Sequence, residues 1–226
     1  MPELYLTPSS ISYLSLLILT SIITTYLVSR AFGREKKFSL GQDGPLLMIC
    51  ISMCLLSLLF FLEYSLPPSE RLIAFNLENT VVAILLAALI QFAYHFPVVN
   101  SKQMVERRIV LFLFYLYILV EWIEAVKIFS LLRQDIVAAR ADYLQVVMIA
   151  EFSWVVIVFA RRAIQNWEFP AVRNFTLILL IPLALAFLTN VSNTYAAITL
   201  LFPILFSIGI LFTVFLFSLN YLSAQP

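Results

Sequence analysis

Seven apolar stretches, each near the length needed to cross a bilayer, leave this chain little freedom in what it can fold into. They run over residues 9–29, 46–66, 72–96, 109–131, 143–161, 175–193 and 196–221. A helix needs about 20 apolar residues to traverse the hydrocarbon layer, because it must satisfy its backbone internally while rising only ~1.5 Å per residue. The residues between the stretches are too few for a separate soluble domain. With 62% hydrophobic and 12% charged residues, the chain is far from a soluble domain, in which about a quarter of residues are charged. The expected fold is all-α, an integral membrane bundle of seven transmembrane helices forming one domain over residues 1–226. The first stretch reads as a span and not as a cleaved signal, since Met1–Thr7 has no basic residue and carries Glu3.

Orientation follows from basic residues in short loops, which favour the cytoplasmic side. Arg30, Arg34, Lys36 and Lys37 follow the first span; Lys102, Arg107 and Arg108 follow the third; Arg161, Arg162 and Arg173 follow the fifth. The other side keeps Arg71, Lys127, Arg133 and Arg140. The N-terminus is therefore expected outside and the C-terminus in the cytoplasm, in a multi-pass protein of a plasma or bacterial inner membrane.

Prolines mark the expected helix ends. Thr7-Pro8 and Gly44-Pro45 place proline where a helix starts and its missing N–H costs nothing. Leu66-Pro67-Pro68-Ser69 makes a tight turn with Ser69 as N-cap of the third helix, and His95-Phe96-Pro97 closes that helix. Pro182 and Pro203 fall inside the last two spans, where kinks are expected.

The acids are sorted as well. Glu3, Glu63, Glu70, Glu78, Glu121, Glu124, Asp135, Asp142 and Glu151 fall in the outer half, against Glu35, Asp43, Glu106 and Glu168 inside. A charge at bilayer depth costs about 2.5–3.5 kcal/mol on insertion scales, so Glu78, Glu121, Glu124 and Glu151 within apolar helices need a reason to be there. Tyr117, Glu121 and Glu124 follow the i, i+4, i+7 spacing of one helix face, with Lys127 placed to pair with Glu124. Glu151 and Trp154 share a face three residues apart; Glu78 and Asn79 sit in the outer third of the third span; Thr189, Asn190 and Asn193 reach the rim of the sixth. These positions are expected to converge on an outward-opening polar cavity, with Glu78, Asn79, Tyr117, Glu121, Glu124, Glu151, Trp154, Asn190 and Asn193 as ligand-binding residues. Carboxylates brought together repel one another, so such a cluster favours a cation or holds protons itself. The alternative is that each acid joins helices by polar pairing, as Glu124 would with Lys127.

Several chemistries are disfavoured. Span seven has no lysine for a retinal Schiff base, and His95 is the single histidine, too few for bis-histidine haem, multi-histidine zinc or a convincing Ser-His-Asp triad. Cys50 and Cys54 read as packing residues, since a four-residue spacing on one helix rarely suits a disulfide. Four glycines cannot build a phosphate loop or an intramembrane G-x-x-x-G. No enzymatic activity, cofactor, metal or nucleic-acid partner is expected of this chain.

Leu62-Glu63, the run Leu89-Ile90-Gln91-Phe92-Ala93-Tyr94-His95-Phe96-Pro97, and Ser218-Leu219-Asn220-Tyr221 carry a resemblance to the N-terminal seven-helix sensor region of bacterial modular signalling receptors. In those proteins such a bundle precedes a cytoplasmic histidine kinase, nucleotide cyclase or related output domain. The resemblance spans most of the chain and implies signal input through the membrane: a small ligand, a proton or the state of the bilayer acts on an outward-facing site, and helices six and seven pass the change to an output domain in cis or in trans. A homodimer is compatible with that role. The chain ends at Ser223-Ala224-Gln225-Pro226, which reads as a truncated or isolated sensor module. The competing expectation is a small-solute, ion or proton transporter that uses the same carboxylates as a relay.

Overall fold

The computed structural model describes residues 6–33, 43–95, 101–131, 135–170, 173 and 180. Five α-helices and no strands occur among them: α1 Pro8–Gly33, α2 Asp43–Ser65, α3 Pro68–His95, α4 Met104–Leu131 and α5 Asp135–Gln165, with a single 3₁₀ turn, Ser101–Gln103, before α4. Three segments are long and apolar enough to cross a membrane, Gly44–Ser65, Leu77–His95 and Ser101–Lys127, and Ser10–Tyr26 is a shorter apolar helix. Apart from Leu180, the sixth and seventh expected spans, with Pro182 and Pro203, lie outside the described residues.

The start of α1 follows from local chemistry. Thr7 Oγ1 accepts the Ser10 N–H at 3.1 Å, and Ser10 Oγ accepts the Thr7 N–H at 2.8 Å, a reciprocal cap with serine in place of the usual glutamate. At α3 the expectation of a Ser69 N-cap, which would start the helix at Glu70, is corrected: the helix begins two residues earlier, at Pro68, where proline's fixed φ suits the first helical position. Its end at His95 agrees with the His95-Phe96-Pro97 signal. The helices also outrun the apolar stretches. Arg107 and Arg108, expected in a loop, lie in the opening turns of α4, and Arg161 and Arg162 lie in the last turn and a half of α5.

The chain divides into two compact units, residues 1–151 and 152–226. In the first, α1 packs on α2, α2 on α3, and α3 on α4. Tyr13, Leu16 and Thr20 form the buried stripe of α1, while Ile11, Ile18 and Ile22 are exposed on its other side. On the α2 side Thr24 Oγ1 donates to the Cys50 carbonyl at 3.2 Å, and Ser21 Oγ lies 3.3 Å from Cys54 Sγ. Both cysteines are free thiols. Tyr13 stacks on Phe60 and on Tyr64, with ring centroids 5.0 and 5.2 Å apart. Leu85 to Ile90 of α3 are all buried, with Ala87 and Ala88 thinning the helix there, and small side chains let neighbouring backbones approach. The outer face of α4 is apolar and exposed at Ile109, Phe112, Leu116, Leu119, Trp122 and Val126. Such a face fits hydrocarbon and not water.

In the second unit, Val155, Val158, Phe159 and Ala163 give α5 a buried stripe. Asn166 closes the helix, its Nδ2 donating to the Arg162 carbonyl at 2.9 Å. The Arg173 guanidinium lies over the Trp167 ring, 5.1 Å from its centroid.

Candidate functional site

One face of α4 runs through Val110, Phe114, Tyr117, Glu121 and Ala125, all buried. The spacing i, i+4, i+7, i+11, i+15 places them on a single stripe. Four of the five are apolar or aromatic, so Glu121, only 1% exposed, is a carboxylate set in an apolar seam. The Tyr117 hydroxyl, one turn earlier, donates to Glu121 Oε1 at 2.9 Å. Tyr117 also packs with Ala83 of α3, and Ile118, Val120 and Met148 close around that pair.

Met148 brings α5 to this seam, and Glu151 follows it by three residues on the same helix. Glu151 is 6% exposed and close enough to Glu121 for their charges to interact. Its Oε2 is buried and has no hydrogen-bond partner among the described residues. Two carboxyl groups and a phenol from α4 and α5 thus share one largely water-free place.

Glu124 takes a different position. Its Oε1 is held by Lys127 Nζ at 2.8 Å, in an ion pair along α4 whose lysine side chain is 56% exposed. It therefore serves as the surface pair that its spacing suggested, while Glu121 turns inward.

Glu78 belongs to a second cluster, between α1, α2 and α3. It lies within hydrogen-bonding reach of Glu63, and Tyr13, bonded to Tyr64, lies beside both acids. Sequence reasoning counted Glu63 among the outer-half acids and not among the site residues, although it falls within the apolar stretch 46–66. Its position inside α2, two residues before the helix ends at Ser65, was the available signal. Asn79 is half-buried, next to Glu78 on α3. Trp154 lies in the second unit with 36% of its surface exposed. Asn190 and Asn193 lie outside the described residues.

The Gln91–His95 motif builds the α3–α4 end. Tyr94, buried, donates its hydroxyl to Glu106 Oε1 at 2.7 Å. Arg107 Nη1 is 3.1 Å from His95 Nε2, and His95 Nδ1 is 2.7 Å from the Gln91 carbonyl. Arginine can only donate, so Nε2 accepts and Nδ1–H donates to the carbonyl. A carboxylate, remote in sequence, thus joins the motif through Tyr94.

Among the described residues no group of three or more His, Cys, Asp or Glu side chains is placed to hold a metal ion. No family model matches the chain, and comparisons with curated proteins and with solved structures find no match.

Proposed function

We propose that this chain is the sensor module of a membrane signalling receptor: seven transmembrane helices with the N-terminus outside and the C-terminus in the cytoplasm, reading a small ligand or proton at a polar site in the outer half. The observation that supports this reading is the burial of Glu121 and Glu151 together, with Tyr117 bonded to one and an oxygen of the other lacking a partner among the described residues. Ionisable groups kept at bilayer depth carry an insertion cost, and such groups mark sites of binding or proton transfer by default.

Occupancy of the site would shift the bundle only if the ligand binds two arrangements of the helices unequally. α5 supplies Glu151 and continues past the boundary of the first unit. A change in the spacing of Glu121 and Glu151 therefore acts on the helix that leads to spans six and seven, and through them on a cytoplasmic signalling domain in cis or in trans. The transporter reading needs polar groups free to bind solute in the inner half as well. Of the inner candidates, Tyr94 is bonded to Glu106 and His95 lies between Arg107 and the Gln91 backbone carbonyl, which favours the sensor.

The two readings separate in vesicles containing the full chain, with the external medium stepped from choline chloride to sodium chloride and, separately, to a more acid buffer. A sensor changes amide exchange over residues 175–221 without net ion entry, and Glu121→Gln and Glu151→Gln remove that change while the protein stays folded. Entry of sodium or protons that the same substitutions stop would establish a carrier. A chain that responds equally with and without its carboxylates would refute both.

A further inference from the structure

We propose that the contact between His95 and Arg107 is an acid-released latch across the α3–α4 turn, closed while the imidazole is neutral and opened when it takes a second proton. The latch itself does not depend on the sensor reading. The orientation proposed above decides only which compartment it answers to, and there it faces the cytoplasm, whereas Glu121 and Glu151 lie in the outer half.

Two side-chain contacts bridge the turn side by side. Tyr94 donates to Glu106 Oε1 at 2.7 Å, and Arg107 Nη1 lies 3.1 Å from His95 Nε2; each joins residues 12 apart in sequence. His95 is the last residue of α3, and Arg107 falls in the first turn of α4, so both contacts fix where α4 starts relative to the end of α3. Acid treats them differently. A guanidinium carries donors only and stays charged, so its bond to Nε2 requires a lone pair there. The single proton of the neutral ring must then sit on Nδ1, which lies 2.7 Å from the Gln91 carbonyl. A second proton can go only to Nε2, where it turns the acceptor into a donor and sets two cations face to face. The bond to Gln91 survives, because Nδ1–H donates in both forms. The ring therefore stays and the arginine leaves.

The helices that pack on α3 are α2 and α4. On the α4 side the charged neighbours are Glu106, whose Oε1 is held by Tyr94, and Lys102 and Arg108, both exposed, with Arg108 turned to Met104 Sδ at 3.9 Å. α2 carries Asp43 as its first residue and Glu63 near its other end. Histidine is the side chain whose charge changes within the physiological range, and His95 is the one histidine of the chain.

That singleness makes the test direct. Nitrogen-15 NMR of the purified full chain in detergent, labelled at histidine, reads this imidazole alone. The expected neutral form carries its proton on Nδ1, with Nε2 bare; a neutral ring protonated on Nε2 would overturn the latch. Thermal unfolding supplies the second readout, with Arg107→Met compared with the parent at about pH 7.5 and about pH 5. Comparison at each pH removes what other titrating groups contribute to both proteins. Arg107→Met is expected to lower Tm at the higher pH, where it deletes a bond, and not at the lower, where it deletes a repulsion. In a His95→Gln background, which does not titrate here, the effect of Arg107→Met is expected to be the same at both. An equal loss at both pH values in the parent, or a pH dependence that persists in His95→Gln, would overturn the proposal. If Arg107→Met does not fold, the tautomer in the parent chain decides.

Discussion

The Tyr117 hydroxyl donates to Glu121 Oε1 at 2.9 Å across one turn of α4, and both side chains are buried. This bond holds a carboxylate in place inside an apolar seam. Tyr117→Phe removes the donor while keeping the ring that packs on Ala83, so the loss is that of a buried hydrogen bond and not of packing volume. The expected cost is about 1–3 kcal/mol of stability, measured as a fall in the unfolding midpoint in detergent in choline buffer.

Glu124 provides the contrast on the same helix. Its partner Lys127 is 56% exposed, and the pair spans three residues along α4. Exposed ion pairs gain little, because solvent screens them and two long side chains lose freedom in forming them. Lys127→Ala is therefore expected to change stability by less than about 1 kcal/mol and to leave any response to external cations intact. A large loss would mean that Glu124 belongs with Glu121 and Glu151.

The five helices and about half of their ends were legible because those signals are local. Apolar length, Thr7-Pro8, and the His95-Phe96-Pro97 stop each act within a turn or two. The shared face of Tyr117 and Glu121 follows from their i, i+4 spacing, but the same rule set Glu124 beside them, and Glu124 pairs with the exposed Lys127 instead. What periodicity could not supply was the partner across helices. α3 is apolar around its whole circumference over Leu85–Ile90, so no stripe shows which neighbour each face meets. Glu63 stands two residues before the end of α2 and Glu78 ten residues into α3; by helical rise that is a depth difference of ~12 Å. The structure nonetheless brings them within reach, because the relative offset of two packed helices is set by tertiary contacts. The same limit left the Tyr94–Glu106 bond invisible, as it joins residues across the α3–α4 turn.

The Glu63–Glu78 contact predicts a difference between two substitutions at one position. Two carboxyl groups bond only with a donor proton between them, and an amide supplies a donor of nearly the same shape. Glu78→Gln is therefore expected to keep the contact and stay within about 1 kcal/mol of the parent, while Glu78→Ala leaves Glu63 without this partner and costs about 1–3 kcal/mol. Midpoints of unfolding for the two variants, compared with Glu63→Gln, measure the difference. Equal losses in Gln and Ala would show that the side-chain bond contributes nothing.

At the other end of α3, Tyr94 donates to Glu106 at 2.7 Å from a buried position, a short bond to a carboxylate of the kind that is roughly twice as strong as one between neutral groups. It ties the end of α3 to the first turns of α4, next to the Arg107–His95 contact. Tyr94→Phe keeps the ring in its place and deletes the donor, and is expected to cost about 1.5–3 kcal/mol. Glu106→Gln leaves an amide oxygen that can still accept from Tyr94, so it should cost less than the tyrosine change. The double substitution should cost less than the sum of the two, since residues sharing a bond couple by about 0.5–3 kcal/mol. Unfolding of the four proteins in the cycle measures that coupling, and additive losses would show that the two side chains stabilise the α3–α4 end independently.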